Sequence, residues 1–381
     1  MIGFKNARVY VEGQGIITTS LGFENGKIAY IGDDANKITQ ELPYEKGQVI
    51  LPGFIDQHIH GAGGADAMDA TITALSTIAN KIAGEGTTGF LATTMTQSPE
   101  NILKAMKAVK EYKEIAPNTG AEVIGIHLEG PFISLKHIGA QPEQYVAKPS
   151  IEVFDEYNTA SGNSIKIVSL APEVDGADEL IKHMTSKGVV ASAGHTDAGY
   201  EDIKKAIDSG LKNITHTFNA QKGLHHREVG TVGSAMLFDS LNAEAICDTI
   251  HLSVPAIKLL IKNKPHDKLT LITDSMRAKH LPDGLSELGG QEVIVKNGEA
   301  RLRNGALAGS ILKMNDAIKN VVLKCNVPFT DAVDFATINP AKNLGIYDKV
   351  GSIKEGKFAN VTIMNEDFTI SATYRNGIKI F

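Results

Sequence analysis

Short apolar segments alternate with amphipathic segments through the middle of the chain. Eight of the apolar segments have the length of buried strands, and they lie at residues 54–60, 88–94, 122–127, 165–170, 189–195, 213–218, 243–250 and 269–273. Continuous apolar runs of this kind are typical of parallel strands that are covered on both faces. Segments with helical spacing separate most of them, at residues 70–85, 100–112, 151–160, 177–187, 200–209 and 255–262, and one more at 311–324 follows a long insertion, residues 276–308. The alternation predicts an α/β protein with the β-then-α units of a (β/α)8 TIM-type barrel.

The two ends of the chain have a different pattern, which predicts strands without helices. Residues 7–11, 15–20 and 27–32 near the start, and 358–364, 369–374 and 379–381 near the end, alternate or are β-branched. Turn signals at Asn25-Gly26 and Asn376-Gly377 separate neighbouring strands. The simplest arrangement is a small β-sandwich built from both termini, residues 1–52 and 346–381, beside a barrel of residues 53–345. An open, doubly wound sheet is the alternative for the middle, but it gives no reason for the placement of the polar residues.

Composition and charge narrow the class of protein. Hydrophobic residues make up 42% and charged residues 22% of the chain, values typical of a folded globular protein. The formal net charge of −6 gives no support for a nucleic-acid or anionic-membrane partner. No apolar run reaches the ~18 residues of a membrane span. With two cysteines and no signal-peptide pattern at the start, we expect a reduced, cytoplasmic protein.

Histidines and carboxylates mark the ends of the predicted strands. His58 and His60 end the first strand, and the other polar residues accompany later strands: His127 and Glu129 the third, His195 the fifth, His216 the sixth, His251 the seventh and Asp274 the eighth. The carboxyl ends of all strands of a barrel converge on one face, where active sites are found. Residues that lie far apart in the chain would then surround one point.

The first strand carries the sharpest local signal, His58-Ile59-His60. Residues i and i+2 of a strand point to the same face, so both imidazoles can reach one ion. With Glu129, His195 and His216 they form a nitrogen and oxygen set suited to Zn²⁺, Fe²⁺ or a similar divalent ion. Five ligands exceed what one tetrahedral catalytic ion needs, so the pattern predicts one or two ions per subunit.

Two neighbouring residues have more than one interpretation. His127 can bind the ion directly or support the ligands from behind. Asp274 is the candidate proton carrier, because a carboxylate beside a metal-activated water can take its proton and return it to the leaving group. The alternatives for Asp274 are a sixth ligand or the N-cap of a helix ahead of Ser275.

Several short motifs lie on or beside these strands. They are PGFIDQHIHGAGG at 52–64, HLEGPF at 127–132, GHT at 194–196, HTFNA at 216–220, HRE at 226–228 and LAGS at 307–310. Together they resemble the amidohydrolase superfamily, and more closely its family of N-acetylglucosamine-6-phosphate deacetylases. The opening motif is common to amidohydrolases, whereas the Glu-Gly-Pro-Phe and Thr-Phe-Asn-Ala segments are more specific to the deacetylases. The resemblance covers nearly the whole chain and implies a (β/α)8 barrel, a small β-sandwich from both termini and a homodimer.

The resemblance also implies roles for individual residues. Glu129, His195 and His216 correspond to the main metal ligands of the family, and Asp274 corresponds to its catalytic acid and base. The residues that correspond to substrate contacts are Ala140, Asn219, Ala220, His251, Leu307, Ala308 and Gly309. Arg227 corresponds to an arginine that binds the sugar phosphate, typically at the neighbouring subunit's site across the dimer interface.

Three features distinguish this chain within the family it resembles. Some members have amides in place of the first-strand histidines and hold one metal, so His58 and His60 favour a second metal here. No lysine ends the predicted strand 165–170, where many amidohydrolases have a carboxylated lysine between the metals, so we expect Glu129 to bridge. Gln141 stands where some relatives have histidine, which leaves open the group that polarises the acetyl carbonyl.

The function implied is hydrolysis of N-acetyl-D-glucosamine 6-phosphate to D-glucosamine 6-phosphate and acetate, in amino-sugar catabolism and recycling. The alternatives are an amidohydrolase that opens cyclic amides, a barrel kept as a non-catalytic scaffold, and a plain sugar-phosphate binder. The sequence leaves open the choice between zinc and iron, because histidine and glutamate sets accept several ions. It also leaves open the tolerance for other N-acetylhexosamine 6-phosphates.

Overall fold

The chain begins with strands of a sheet that lies beside the barrel. The computed structural model describes residues 1–381, and its first strands are β1 (Ile2–Val11), β2 (Gly15–Glu24), β3 (Lys27–Gly32) and β4 (Val49–Pro52). Strands β1, β2 and β3 are antiparallel neighbours, and the two-residue strand Gln40–Glu41 pairs with β1 in parallel. The turn after β2 uses Asn25 and Gly26 with φ of 52° and 76°. Both residue types tolerate this left-handed backbone, which a tight hairpin requires.

Eight parallel strands follow and form the barrel in chain order. They are β5 (Phe54–Ile59), β6 (Thr87–Thr93), β7 (Glu122–Glu129), β8 (Ile165–Leu170), β9 (Val190–Ala193), β10 (Leu211–Ile214), β11 (Asn242–Ile246) and β12 (Leu269–Ile272). The chain after β12 returns to β5, where the N–H of Asp274 donates to the carbonyl of His58 over 2.8 Å. The N–H of His60 donates to the carbonyl of Ser275 over 2.9 Å. The predicted barrel is therefore confirmed, and the open doubly wound sheet is excluded.

Helices pack against the outside of the barrel. They are α1 (Ile72–Ala83), α2 (Pro99–Ile115), α3 (Ile151–Ala160), α4 (Ala177–Ser186), α5 (Tyr200–Ser209), α6 (Gly230–Leu237), α7 (Val254–Asn263), α8 (Met314–Cys325), α9 (Phe329–Ala336) and α10 (Ile338–Asn343). Helix α2 begins where the Ser98 hydroxyl accepts from the N–H of Asn101, and its Ile102, Met106 and Val109 recur on one buried face. No helix is both long enough and apolar enough to cross a membrane.

Helices α6, α9 and α10 lie in segments where the hydrophobic pattern predicted none. Helix α6 is buried from Gly230 to Ala235 without a solvent face, so it lacks amphipathic spacing. Helices α9 and α10 are short, at eight and six residues, with Thr337 between them at φ −133° and ψ −75°, and so few turns do not distinguish a helix from other structure by spacing.

The long insertion contains a small sheet of its own. Its strands are β13 (Gly284–Leu288), β14 (Gln291–Lys296) and β15 (Glu299–Leu302), all antiparallel. The insertion is fixed to the barrel by a fully buried ion pair, in which Nζ of Lys279 lies 2.9 Å from Oε2 of Glu85. At the turn after β13, Nε2 of Gln291 donates to the carbonyl of Ala140 over 2.7 Å. The insertion therefore covers one side of the barrel mouth.

The chain ends with β16 (Val361–Met364), β17 (Ile370–Arg375) and the two-residue strand Ile378–Lys379. Strand β16 pairs antiparallel with β4, so that both ends of the chain form one separate sheet, as predicted. Gly53 is the single residue between β4 and β5, and a Cβ there would lie 2.2 Å from the side chain of Thr88. The terminal sheet is thus joined directly to the first barrel strand. The division into units at residues 52/53 and 345/346 stays a prediction.

Candidate metal centre

The candidate metal ligands lie at the carboxyl end of the barrel, on five different strands. His58 lies within β5 and Glu129 is the last residue of β7. His195, His216 and Asp274 each lie two residues beyond a strand, with φ of 49°, 28° and 46°. Left-handed backbone is uncommon for residues other than glycine and is concentrated at functional sites. It turns these three side chains back over the mouth of the barrel.

Glu129 is the centre of this group. Its Oε1 lies 3.1 Å from Nε2 of His195, 3.0 Å from Nε2 of His216 and 3.4 Å from Nε2 of His58. Its Oε2 lies 3.3 Å from Nε2 of His60. One carboxylate therefore touches all four imidazoles that were predicted as ligands.

Asp274 completes the group on the side of the first strand. Its Oδ1 lies 3.2 Å from Nε2 of His60 and 3.5 Å from Nε2 of His58. His58, His60 and Asp274 form one set of donor atoms that lie mutually within 4.8 Å, and His58, Glu129 and His216 form another. The two sets share His58, so they describe two adjoining positions for an ion.

The donor atoms fit a divalent cation. Nε2 of His58 is buried and has no hydrogen-bond partner, which is costly for a polar atom unless something else binds it. Ligand atoms about 2.1 Å from a tetrahedral ion lie about 3.4 Å apart, close to the separations around Glu129. The nitrogen and oxygen donors are those that zinc and iron accept. The residues predicted as ligands therefore fit a divalent ion both in their spacing and in the chemistry of their donor atoms.

The charges of the group agree with this interpretation. Burial alone would raise the pKa of the Glu129 carboxyl, but the imidazoles of His58, His195 and His216 hold that pKa well below its usual range. Despite the same effect of burial, the neighbouring histidines lower the pKa of Asp274 to about 2. Both carboxylates are therefore anions near neutral pH, as ligands and proton acceptors must be.

The imidazoles are oriented by what their other ring nitrogen contacts. Three of them donate Nδ1–H to a backbone carbonyl: His60 to Thr93 over 3.3 Å, His195 to His137 over 3.0 Å and His216 to Asn219 over 3.1 Å. His58 differs, because its Nδ1 lies 3.2 Å from Oε2 of Glu244, a carboxylate inside the barrel. In all four residues Nε2 is left to face the candidate ion.

His127 supports the ligands from behind. Its Nδ1 donates to the carbonyl of Gln57 over 3.1 Å, and its Nε2 lies 2.7 Å from the hydroxyl of Ser169. Burial and the nearby His58 lower the pKa of His127 to about 3, so this ring is neutral. Neither nitrogen is free for an ion, and the ring packs against His58 with centroids 4.4 Å apart.

A cavity of about 240 Å³ opens beside the candidate ligands. Most of the residues that resemble substrate contacts line it, and these are Ala140, Asn219, Ala220, His251, Leu307 and Gly309. Ala308 does not line it, because this residue is fully buried in the small core of the insertion. Arg227 is exposed on a loop outside the cavity of its own chain.

For several residues of the site no role was predicted from the sequence. Gln141 is buried, donates Nε2–H to Oε2 of Glu129 over 2.9 Å and accepts from the N–H of Thr96 over 2.7 Å. Asp248 lies 2.6 Å from Nδ1 of His251. Glu244 was hidden within the apolar segment 243–250. A charged residue in the middle of a buried strand is the signal that could have identified it.

The fold and the site by themselves indicate the class of protein. The protein is a (β/α)8 barrel with a buried histidine and carboxylate centre beside a cavity at the carboxyl ends of its strands, which is the construction of metal-dependent hydrolases. A sequence model of the amidohydrolase family matches residues 49–379.

The relatives point to one group within that class. The chain is 41% identical to N-acetylglucosamine-6-phosphate deacetylase of Bacillus subtilis (strain 168) over 377 residues, which are 98% of this chain and 95% of that protein. It is 33% identical to N-acetylgalactosamine-6-phosphate deacetylase of Escherichia coli O157:H7, covering 87% of each chain. The crystal structure of N-acetylglucosamine-6-phosphate deacetylase from Pasteurella multocida superimposes with a TM-score of 0.94 at 29% identity, covering 99% of both chains. The chain therefore belongs to the amidohydrolase family and, within it, to the N-acetylglucosamine-6-phosphate deacetylases.

Proposed function

We propose that this enzyme hydrolyses the acetamide of N-acetyl-D-glucosamine 6-phosphate and releases D-glucosamine 6-phosphate and acetate, as a step in amino-sugar breakdown. The observation that carries the proposal is the meeting of Glu129, Asp274 and four imidazoles beside a cavity of about 240 Å³. The names of the relatives supply the substrate. Because one relative acts on the galactosamine isomer, N-acetyl-D-galactosamine 6-phosphate is the first alternative substrate to compare.

The centre would hold one or two divalent ions, with Zn²⁺ or Fe²⁺ as the proposed metals. The residues that would hold them are His58, His60, Glu129, His195 and His216. A bound ion supplies Lewis-acid chemistry, since it polarises a carbonyl and lowers the pKa of a nearby water. Glu129 would contribute to both positions, because its Oε2 faces His60 and its Oε1 faces His216.

Asp274 is the proposed proton carrier. Its Oδ1 faces His58 and His60, so Oδ2 is the oxygen left to exchange a proton in the cavity. The ionised carboxylate would take a proton from the attacking water and deliver it to the departing nitrogen. Expulsion of an unprotonated amine is very unfavourable, so the reaction needs a group that performs both transfers.

The walls of the cavity would bind the sugar. Oδ2 of Asp248 accepts from Nδ1 of His251, so Nε2 of this histidine is available to a sugar hydroxyl or to the acetamide. The exposed Arg227 would bind the 6-phosphate in the site of a second subunit, since its planar fork matches phosphate oxygens. Because Arg227 would then serve a neighbouring subunit, we also propose that the enzyme is a homodimer. Cys247 and Cys325 are buried and unpaired, which supports the proposal of a reducing, cytoplasmic compartment.

An acetate-release assay tests the proposed function. The assay compares N-acetylglucosamine 6-phosphate, its galactosamine isomer, unphosphorylated N-acetylglucosamine and a cyclic amide, before and after chelation and after return of Zn²⁺ or Fe²⁺. The expected result is rapid, chelator-sensitive release from phosphorylated N-acetylhexosamines. Release that survives complete removal of metal, or faster turnover of the cyclic amide, would contradict the proposal.

A further inference from the structure

Glu244 is a buried carboxylate in the middle of β11. It is 0% exposed and lies inside the barrel, beneath the candidate metal centre. A carboxylate that is removed from water is costly unless its oxygens are hydrogen-bonded. The contacts of Glu244 therefore indicate what it does there.

Four donors surround this carboxylate. Oε1 accepts from Nε2 of Gln57 over 2.7 Å and from Nδ2 of Asn213 over 3.0 Å. Oε2 lies 3.2 Å from Nδ1 of His58 and accepts from the backbone N–H of His216 over 3.2 Å. Two of the four donors thus belong to candidate metal ligands on different strands.

The contact with His58 fixes the tautomer of that ring. An ionised carboxylate only accepts hydrogen bonds, so Nδ1 of His58 must carry the hydrogen. In a neutral imidazole the lone pair is then on Nε2, the buried atom without a hydrogen-bond partner that faces Glu129 and Asp274. A carboxylate behind a ligating histidine also makes the ring a better donor.

His58 is the one imidazole of the centre that depends on a side chain for this orientation. The other three use backbone carbonyls, which substitution of a side chain leaves in place. His58 belongs to both sets of donor atoms, but without it the second position keeps Glu129, His195 and His216, whereas the first keeps only His60 and Asp274. Removal of the Glu244 carboxylate should therefore weaken the position that His58 shares with His60 more than the position between His195 and His216.

We propose that Glu244 is a positioning residue that presents Nε2 of His58 to the ion held between the first barrel strand and Asp274, and that it thereby determines whether the centre holds two ions or one. Glu244 itself is not a ligand, because donors surround both of its oxygens. The inference rests on the proposed function only in assuming that the centre binds divalent ions. The dependence of His58 on Glu244 gives a physical reason why one ion position can be lost separately from the other.

The substitution Glu244→Gln separates positioning from packing, because the two side chains have nearly the same shape. A glutamine has one accepting oxygen and one donating NH₂. If the oxygen keeps its contacts with Gln57 and Asn213, the NH₂ faces Nδ1 of His58 and the backbone N–H of His216, so that the hydrogen bond from His216 is lost as well. His58 can accept a hydrogen bond from the NH₂ only by moving its own hydrogen to Nε2, and the lone pair for the ion is then lost.

The test measures zinc content and affinity in the purified full-length chain, by elemental analysis and calorimetry. We expect two ions per wild-type chain and one tightly bound ion in Glu244→Gln, with the affinity of the second position lowered 10- to 100-fold. Thr270→Val is the control, because it removes a buried hydrogen bond to Asn242 from the residue opposite Glu244 on the neighbouring strand and leaves all four donors of Glu244 in place. This control should keep two ions.

A second variant shows whether the effect passes through His58. His58→Asn should also hold one ion, and Glu244→Gln combined with His58→Asn should lose no more than His58→Asn alone. Two ions of wild-type affinity in Glu244→Gln, or loss of both ions in the double variant, would overturn the inference. A wild-type chain that binds no divalent ion would instead refute the proposed function.

A measurement on the wild-type protein covers the case in which Glu244→Gln does not fold. In the zinc-loaded enzyme labelled with ¹⁵N-histidine, His58 should show a protonated Nδ1 and a ligated Nε2. An Nδ1 without hydrogen would show that Glu244 does not set the tautomer.

Discussion

The ion pair between Lys279 and Glu85 fixes the insertion to the barrel, and its disruption predicts a large loss of stability. Lys279 is 0% exposed, Glu85 is 1% exposed, and their charged atoms are 2.9 Å apart. At this separation two unit charges attract each other by about 6 kcal/mol if the effective dielectric constant is about 20. Desolvation offsets much of this attraction, so the measurable quantity is the effect of leaving one buried charge alone, about 3–5 kcal/mol.

The two partners are not equivalent, which makes the prediction sharper. Glu85 also accepts from Nε2 of His280 over 2.6 Å and from the N–H of Met314 over 3.0 Å, whereas Lys279 donates to Glu85 alone. Glu85→Gln therefore removes the only carboxylate that is hydrogen-bonded to the ammonium group, leaving Asp56 as a buried acid that acts on it through space, and should lower the free energy of unfolding by about 3–5 kcal/mol. Lys279→Met leaves a carboxylate with two other donors and should cost less, about 1–3 kcal/mol.

Urea unfolding followed by circular dichroism measures these differences. The combined substitution of Glu85→Gln and Lys279→Met removes both charges and should be less destabilising than the sum of the two single changes. Lys104→Met is a matched control, because Lys104 and Glu100 form an exposed pair at 2.8 Å that should contribute less than about 1 kcal/mol. Equal effects of the two single substitutions, or a loss below about 1 kcal/mol in Glu85→Gln, would refute the reasoning from burial.

The remaining predictions concern catalysis and the ion. Asp274→Asn should lower kcat for acetate release by about 10²–10⁴-fold, and wild-type turnover in this variant would exclude the proton-carrier role. Arg227→Ala should raise KM for the phosphorylated sugar by about 10–100-fold, the value of a charge-assisted hydrogen bond, and an unchanged KM would remove the phosphate assignment. In chelated protein, burial opposes charge on the His60 ring, but Asp274 and Glu129 raise the pKa of His60 from 6.5 to about 10. The contribution of the protonated His60 ring to the free energy of unfolding is complete below pH 6.5 and is lost as the pH rises through 10. The Tm of the chelated protein should therefore fall between pH 7 and 10. An ion-loaded sample whose ligands carry no proton should lack this decline, and equal declines in both samples would contradict the assignment.

The barrel strands were predictable because apolar runs report burial on both faces. Strand β8 has the predicted bounds, Ile165–Leu170. Strand β11 ends at Ile246, four residues before the predicted end, although two of the next four residues, Cys247 and Ile250, are apolar. There the carboxylate of Asp248 accepts from the N–H groups of Ile250 and His251 and forms a turn. Hydrophobicity does not report such local hydrogen bonds, so strand ends were predicted less well than strand centres.

The meeting of the candidate ligands could be predicted from the sequence, whereas the residues that support them could not. His58 and His60 were identifiable because strand spacing places both on one face. The left-handed backbone at His195 could not be predicted from residue type, because most histidines adopt other conformations even though histidine is enriched in this one. The role of Glu244 depends on donors such as Gln57 and Asn213, which come from other strands and meet only when the barrel closes. Sequence patterns describe one strand at a time and therefore omit contacts of this kind.

The pairing of β16 with β4 has a consequence for biosynthesis. Strand β4 is separated by Gly53 alone from the strand that carries His58, and its antiparallel partner Val361–Met364 is synthesised only after all eight barrel strands. Until those residues leave the exit tunnel, the chain that leads into the first metal-binding strand lacks its neighbour on that side. Loading of the ion should thus follow synthesis of the whole barrel, and nascent chains that stop before residue 361 should acquire metal poorly.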